Sequence, residues 1–212
     1  MKRIIICLAA LLLLFNMDAL SQGVIAELQA GTGTYSMRDL KGLNRYIKNR
    51  LPFDTKIVAD FPPFLNYSAI LKFRIKNAYL GIIQSYQTTG SRISGRDYSG
   101  EYAFDITLNA YSPGIYSEFK INTVKKTELS FYSALGVMFT GMKMYERYVV
   151  LEEKFLDDRY NFRSKNLFLE PGLRVLYPAG CLNFAFNAGY LVQFGNGSFS
   201  SAENKNNLLG NP

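Results

Sequence analysis

Side chains able to do chemistry are spaced in this chain by twos. Lys72 and Arg74, Glu118 and Lys120 and, four apart, Glu170 and Arg174 fall on one face of an extended segment, because a strand turns successive side chains to opposite faces. Glu27, Asp105 and Glu128 sit on the polar face of their own segments in the same way. Together they carry both signs of charge. Their simplest joint role is an ion-pair network in a shared interior, since unpaired buried charge is expensive. The same charges could instead form the selectivity element of a gated or narrow pore.

Covalent and metal chemistry have little to work with. Histidine is absent, which removes the commonest general base and metal ligand at neutral pH and excludes a Ser/His/Asp triad. Gly31-x-Gly33 lacks the Lys-Ser/Thr of one phosphate loop and the third glycine of another. The adjacent acids Asp157 and Asp158 read as solvation of a polar loop. No catalytic residue, cofactor or metal ligand is expected, and Cys181, at a strand start, reads as inert.

The first residues define the route of the chain. Lys2 and Arg3 precede an unbroken apolar run over 4–15, and Ala19-Leu20-Ser21 offers small residues where a leader is cut. The reading is a secretory signal over 1–21 and one domain over 22–212. No later segment approaches the 18 apolar residues of a spanning helix. Losing Lys2, Arg3 and Asp18 lowers the formal charge from +7 to +6. For an exported chain, anionic lipid and lipopolysaccharide phosphates are better counter-charges than nucleic acid, which is not an expected partner. Removal of Cys7 with the leader leaves no pair for a disulfide.

A cationic helix follows the first strand. Ser36 can cap it, Leu40, Leu43 and Ile47 recur at helical spacing, and Pro52 ends it. It reads either as an amphipathic lid with its leucines on a rim, or as a lipopolysaccharide contact through Arg38, Lys41, Arg45 and Lys48.

The rest is alternation. Leu65, Tyr67, Ala69, Leu71 and Phe73 share one face, as do Leu129, Phe131, Leu135, Val137 and Phe139, and Leu167, Leu169, Leu173, Val175 and Tyr177. One segment changes phase: Tyr102, Phe104, Ile106 and Leu108 alternate in one parity, Ile115, Phe119 and Ile121 in the other, with Pro113-Gly114 between. A hairpin there would make two strands; a β-bulge would keep one. With the bulge, long connections (36–56, 90–100, 152–165 and the tail after Gly195) alternate without fault with short ones (76–77, 122–127, 178–180). The bulge is preferred. The expectation is all-β: an antiparallel up-and-down transmembrane β-barrel, apolar outside and charged inside, with a short amphipathic helix in its first long loop. Seven strands are visible of an expected eight, and the closing strand is expected beyond Pro212.

The chain resembles the small porin-like outer-membrane β-barrel proteins of Gram-negative bacteria over about 22–195. The residues are Asp60-Phe61-Pro62-Pro63-Phe64-Leu65-Asn66-Tyr67-Ser68, Thr89-Gly90-Ser91-Arg92 with Asp97-Tyr98-Ser99-Gly100-Glu101-Tyr102, and Leu169-Glu170-Pro171-Gly172. The resemblance implies an outer-membrane location, handling by the barrel-assembly machinery and a monomer in lipid. It does not imply a single activity. The first reading is a structural or porin-like protein without catalysis. The alternative is a surface binding or adhesion module using the long loops, with Tyr98, Tyr102, Tyr148 and Tyr160 as contacts. A lipid-modifying enzyme is disfavoured by the missing histidine. A soluble ligand-binding barrel would invert every face assignment, and its interior could not hide so many large apolar side chains.

Overall fold

The computed structural model describes residues 23–51, 55–96, 98, 100–150, 153–179, 182–195, 199–201 and 208–209. The expected leader and Cys181 lie outside them. The elements are β1 (Val24–Gly33), α1 (Arg38–Arg50), β2 (Lys56–Asp60), β3 (Phe64–Ile75), β4 (Ala78–Arg96), β5 (Gly100–Val124), β6 (Thr127–Val150), β7 (Glu153–Ala179), β8 (Leu182–Gly189), β9 (Val192–Phe194), β10 (Phe199–Ser201) and β11 (Leu208–Leu209). All strands join one antiparallel sheet in the order β1-β3-β4-β5-β6-β7, with β8, β9 and β10 following one another along the far edge of β7. The sheet curls into a half-barrel, far enough that Glu27 on β1 meets Arg174 on β7 at 2.8 Å.

Short turns lie at one end. Lys76-Asn77 and Lys125-Lys126 connect β3–β4 and β5–β6, with Lys76 at φ 52° and Lys125 at φ 57°. Left-handed backbone in a two-residue turn matches the twist of the strands it joins. At the other end the stretches foreseen as long connections at 90–100 and 152–165 are strand over 90–96 and 153–165. β4 runs to Arg96, β6 to Val150, and β7 starts at Glu153. Arg92 opposite Asp105 and Arg147 opposite Asp157 are typical of the cross-strand pairing that extends these hairpins.

The phase change in β5 has a different cause from the one expected. Register with β4 runs unbroken from Arg96↔Glu101 to Ala78↔Phe119, so there is neither hairpin nor bulge at 112–114. The register shift lies lower, between Lys120 and Asn122. Even-numbered side chains from Tyr102 to Glu118 all point inward. What changes is the filling. Toward the turn end the interior is polar and the outer surface apolar; toward the helix end the interior is apolar and the outer surface polar.

Outward apolar stretches cover 67–75 on β3, 111–121 on β5, 129–139 on β6 and 167–177 on β7. Their helix-side limit is a register line: Tyr67 opposes Tyr86, Tyr86 opposes Tyr111, and Tyr111 opposes Phe139. Beyond it Arg92, Asp105, Thr107, Lys143, Arg159 and Arg163 face outward. Inside that end, Phe61, Ile93, Tyr102, Phe104, Ile106, Leu108 and Met142 form a dry cluster.

Candidate functional site: the barrel interior

Near the turn end four charges from four strands converge. Lys72 Nζ on β3 lies 2.8 Å from Glu27 Oε1 on β1 and 2.5 Å from Glu118 Oε2 on β5. Arg174 on β7 lies 2.8 Å from Glu27 and 3.6 Å from Glu118. Tyr116 donates its hydroxyl to Glu118 at 3.1 Å and accepts from Arg174 Nη1 at 3.4 Å. Lys72, Glu118 and Arg174 are almost wholly buried. Two acids and two bases make the set neutral, and each carboxylate touches both cations. That is the condition under which buried charge is tolerated, and it locks strands far apart in sequence to one another.

Beside the quartet, the Tyr116 and Tyr132 rings stack with centroids 5.8 Å apart, and Tyr132 donates to Glu170 Oε1 at 3.1 Å. Tyr132 lies flat on β7 because Gly172 leaves room: a Cβ there would sit 2.5 Å from the ring.

The nine charges expected inside thus divide. Glu27, Lys72, Glu118 and Arg174 form the cluster, and Glu170 is held by Tyr132. Lys120 and Glu128 pair separately at 2.9 Å, both half-exposed near the turn end. Arg74 is exposed and donates to the Lys76 carbonyl at the turn. Asp105 corrects the expectation. It faces outward and takes two hydrogen bonds from Arg92, at 2.6 and 2.8 Å, because Phe104 and Ile106 on the opposite parity fill the core.

The helix is also seated differently. Met37, in left-handed backbone at φ 42°, occupies the cap position without a side-chain cap, so Ser36 does not serve. Leu40, Leu43 and Ile47 pack on the dry cluster rather than on a rim. Fully buried Asn44 pins the helix, donating to Asp60 at 3.0 Å and accepting from Ser91 at 3.4 Å. Arg38, Arg45 and Lys48 are exposed, and Lys41 is half-buried. Among the proposed contact tyrosines, Tyr98 and Tyr160 are exposed. Tyr102 is buried and donates to Glu146 at 2.8 Å, and burial with that carboxylate pushes its hydroxyl well above the usual tyrosine range.

Sequence reasoning missed Tyr116, Tyr132 and Asn44. The tyrosines had a signal: each occupies the inward parity two residues from a charge or a serine. Asn44 had one too, as a lone amide on the apolar side of the helix between Leu40 and Ile47. The chain matches no family model, no curated protein and no solved structure.

Proposed function

We propose that the chain is an integral β-barrel protein of a bacterial outer membrane, structural in its main role, non-catalytic and monomeric in lipid. The outward apolar belt carries this reading. Each stretch is about ten residues long, the length a tilted strand needs to cross a hydrocarbon core. It is bounded by a row of tyrosine and phenylalanine of the kind that lies at a lipid–water boundary, and Lys165 reaches over the Phe139 ring at 5.6 Å. On this reading the neutral quartet is an internal brace rather than a conduction path, the barrel-assembly machinery inserts the chain, and Arg38, Arg45 and Lys48 face lipopolysaccharide phosphates. The closed form has eight strands. β1 and β8 run parallel to each other across a cleft of about 1080 Å³, so one strand antiparallel to both would satisfy both edges.

The test is fractionation of cells expressing the full chain, followed by bilayer recording of the purified protein. Recovery with the outer membrane, heat-modifiable migration on gels and no steady conductance are expected. Recovery in the soluble fraction would sink the proposal. Stable channels abolished by changes at Glu27 or Arg174 would replace the brace with a pore.

A further inference from the structure

Where the polar and dry parts of the interior meet, the structure leaves a half-open pocket that shares Tyr35, Phe64 and Gln87 with the larger cleft between β1 and β8. A chamber of about 370 Å³ lies there, walled by Leu40, Phe64, Leu108, Ala110 and Met138. The amphipathic helix roofs it through Met37 and Leu40, and the charged quartet lies on the other side of Ala110 and Met138. Among the described residues that line it, none is charged. Its polar groups are neutral: Tyr35, Gln87, Asn166 and Gln193 are the main ones.

These groups are arranged, not scattered. Tyr35 donates to Gln87 Oε1 at 2.7 Å, which fixes the Gln87 amide with its NH2 end to offer. Asn166 donates to Ser164 at 3.3 Å. Gln193 Nε2 donates to the Met138 sulfur at 3.1 Å, and a thioether is a weak acceptor that a better one would displace. A cavity of this size, mostly apolar with a few convergent polar groups, falls in the range of small-molecule sites.

We propose that this chamber binds an uncharged, single-chain amphiphile: an alkyl body with one carbonyl acceptor, the class of long-chain ketones and esters. The wall selects the body. The Gln87 amide selects the acceptor. An ionised acid would find no cation in the lining and an amine no anion, so both are rejected by desolvation. The inference is independent of where the chain resides, since it concerns only the residues that line the pocket.

The test is isothermal titration of the full chain in amphipathic polymer, free of micelles, with 2-undecanone as probe and undecanoate, undecylammonium and undecane as controls. One saturable site for the ketone is expected, with binding at least tenfold weaker for each charged control. Ala110→Leu narrows the chamber and should weaken the ketone at least tenfold. Gln87→Leu removes the donor and should bring the ketone down to the affinity of undecane. Absence of saturable ketone binding to the unaltered chain overturns the proposal. So does affinity unchanged in both variants, or undecanoate binding as tightly as the ketone. If Ala110→Leu fails to fold, as read by circular dichroism, Gln87→Leu and the charged controls still decide.

Discussion

On either side of the row Tyr67, Tyr86, Tyr111 and Phe139, the same strands solve opposite problems with the same parity. Toward the turns, β5 sends Ile115 and Phe119 outward and Tyr116 and Glu118 inward. Toward the helix it sends Asp105 and Thr107 outward and Phe104 and Ile106 inward. The first region is held together by charges that neutralise one another in a polar interior. The second is an ordinary hydrophobic core, completed by α1 and closed by a single buried amide. The difference teaches that a strand face is not intrinsically lipid-like or core-like. Its identity is set by what lies beyond it, and a 25-residue strand is long enough to change surroundings midway.

The sharpest way to break the comparison is to remove one member of each core. Arg174→Met leaves Glu27 and Glu118 sharing Lys72 and should cost roughly 3–5 kcal/mol. Ile106→Ala in the dry core should cost roughly 2–5 kcal/mol. Urea unfolding of each variant measures both, and a negligible loss for Arg174→Met would mean that water, not partners, solvates the quartet. A second pair of variants tests the outer surfaces. Leu135→Arg, in the middle of the apolar belt, should cost roughly 2–4 kcal/mol when folding is measured in vesicles. Thr107→Arg, above the aromatic row, should change stability by about 0.5 kcal/mol or less. Equal costs would erase the boundary drawn at the tyrosines.

Smaller effects sharpen the helix end. Asn44→Ala strands the Asp60 and Ser91 groups it bridges and should cost roughly 1–3 kcal/mol, with α1 becoming the first site of proteolysis. Tyr102 supplies a pH signature. Its folded hydroxyl ionises less readily than the ordinary tyrosine near pH 10, so above about pH 10 the unfolded chain releases a proton that the folded chain keeps. Stability contributed there is fully present below that pH and is lost as pH rises beyond it. Unfolding midpoints across pH 8–11 should fall less steeply for Tyr102→Phe than for the unaltered chain.

Much of this was legible in the residues. The alternation at 65–75, 129–139 and 167–177 announces half-buried strands, and the spacing of Leu40, Leu43 and Ile47 announces the helix. Glu27, Lys72, Glu118 and Arg174 fall on predicted inward faces, although 147 positions separate Glu27 from Arg174. Asp105 and the stretches at 90–100 and 152–165 depart from the sequence expectation for related reasons. Alternation alone places a polar residue in the interior, and a run of charges alone reads as a loop. Both inferences assume one kind of surroundings along the whole strand.

The sequence by itself determined the strand periodicity, the amphipathic helix over 38–50 and the supply of balanced acids and bases, because each is a local consequence of side-chain order along an extended or helical backbone. Only the tertiary structure decided which acid meets which base, where the interior changes from charged to dry, and that a half-open pocket lies between the two. Those outcomes depend on the curl of the sheet and on the seating of α1 inside it, and both arise from contacts between residues that are neighbours in space alone.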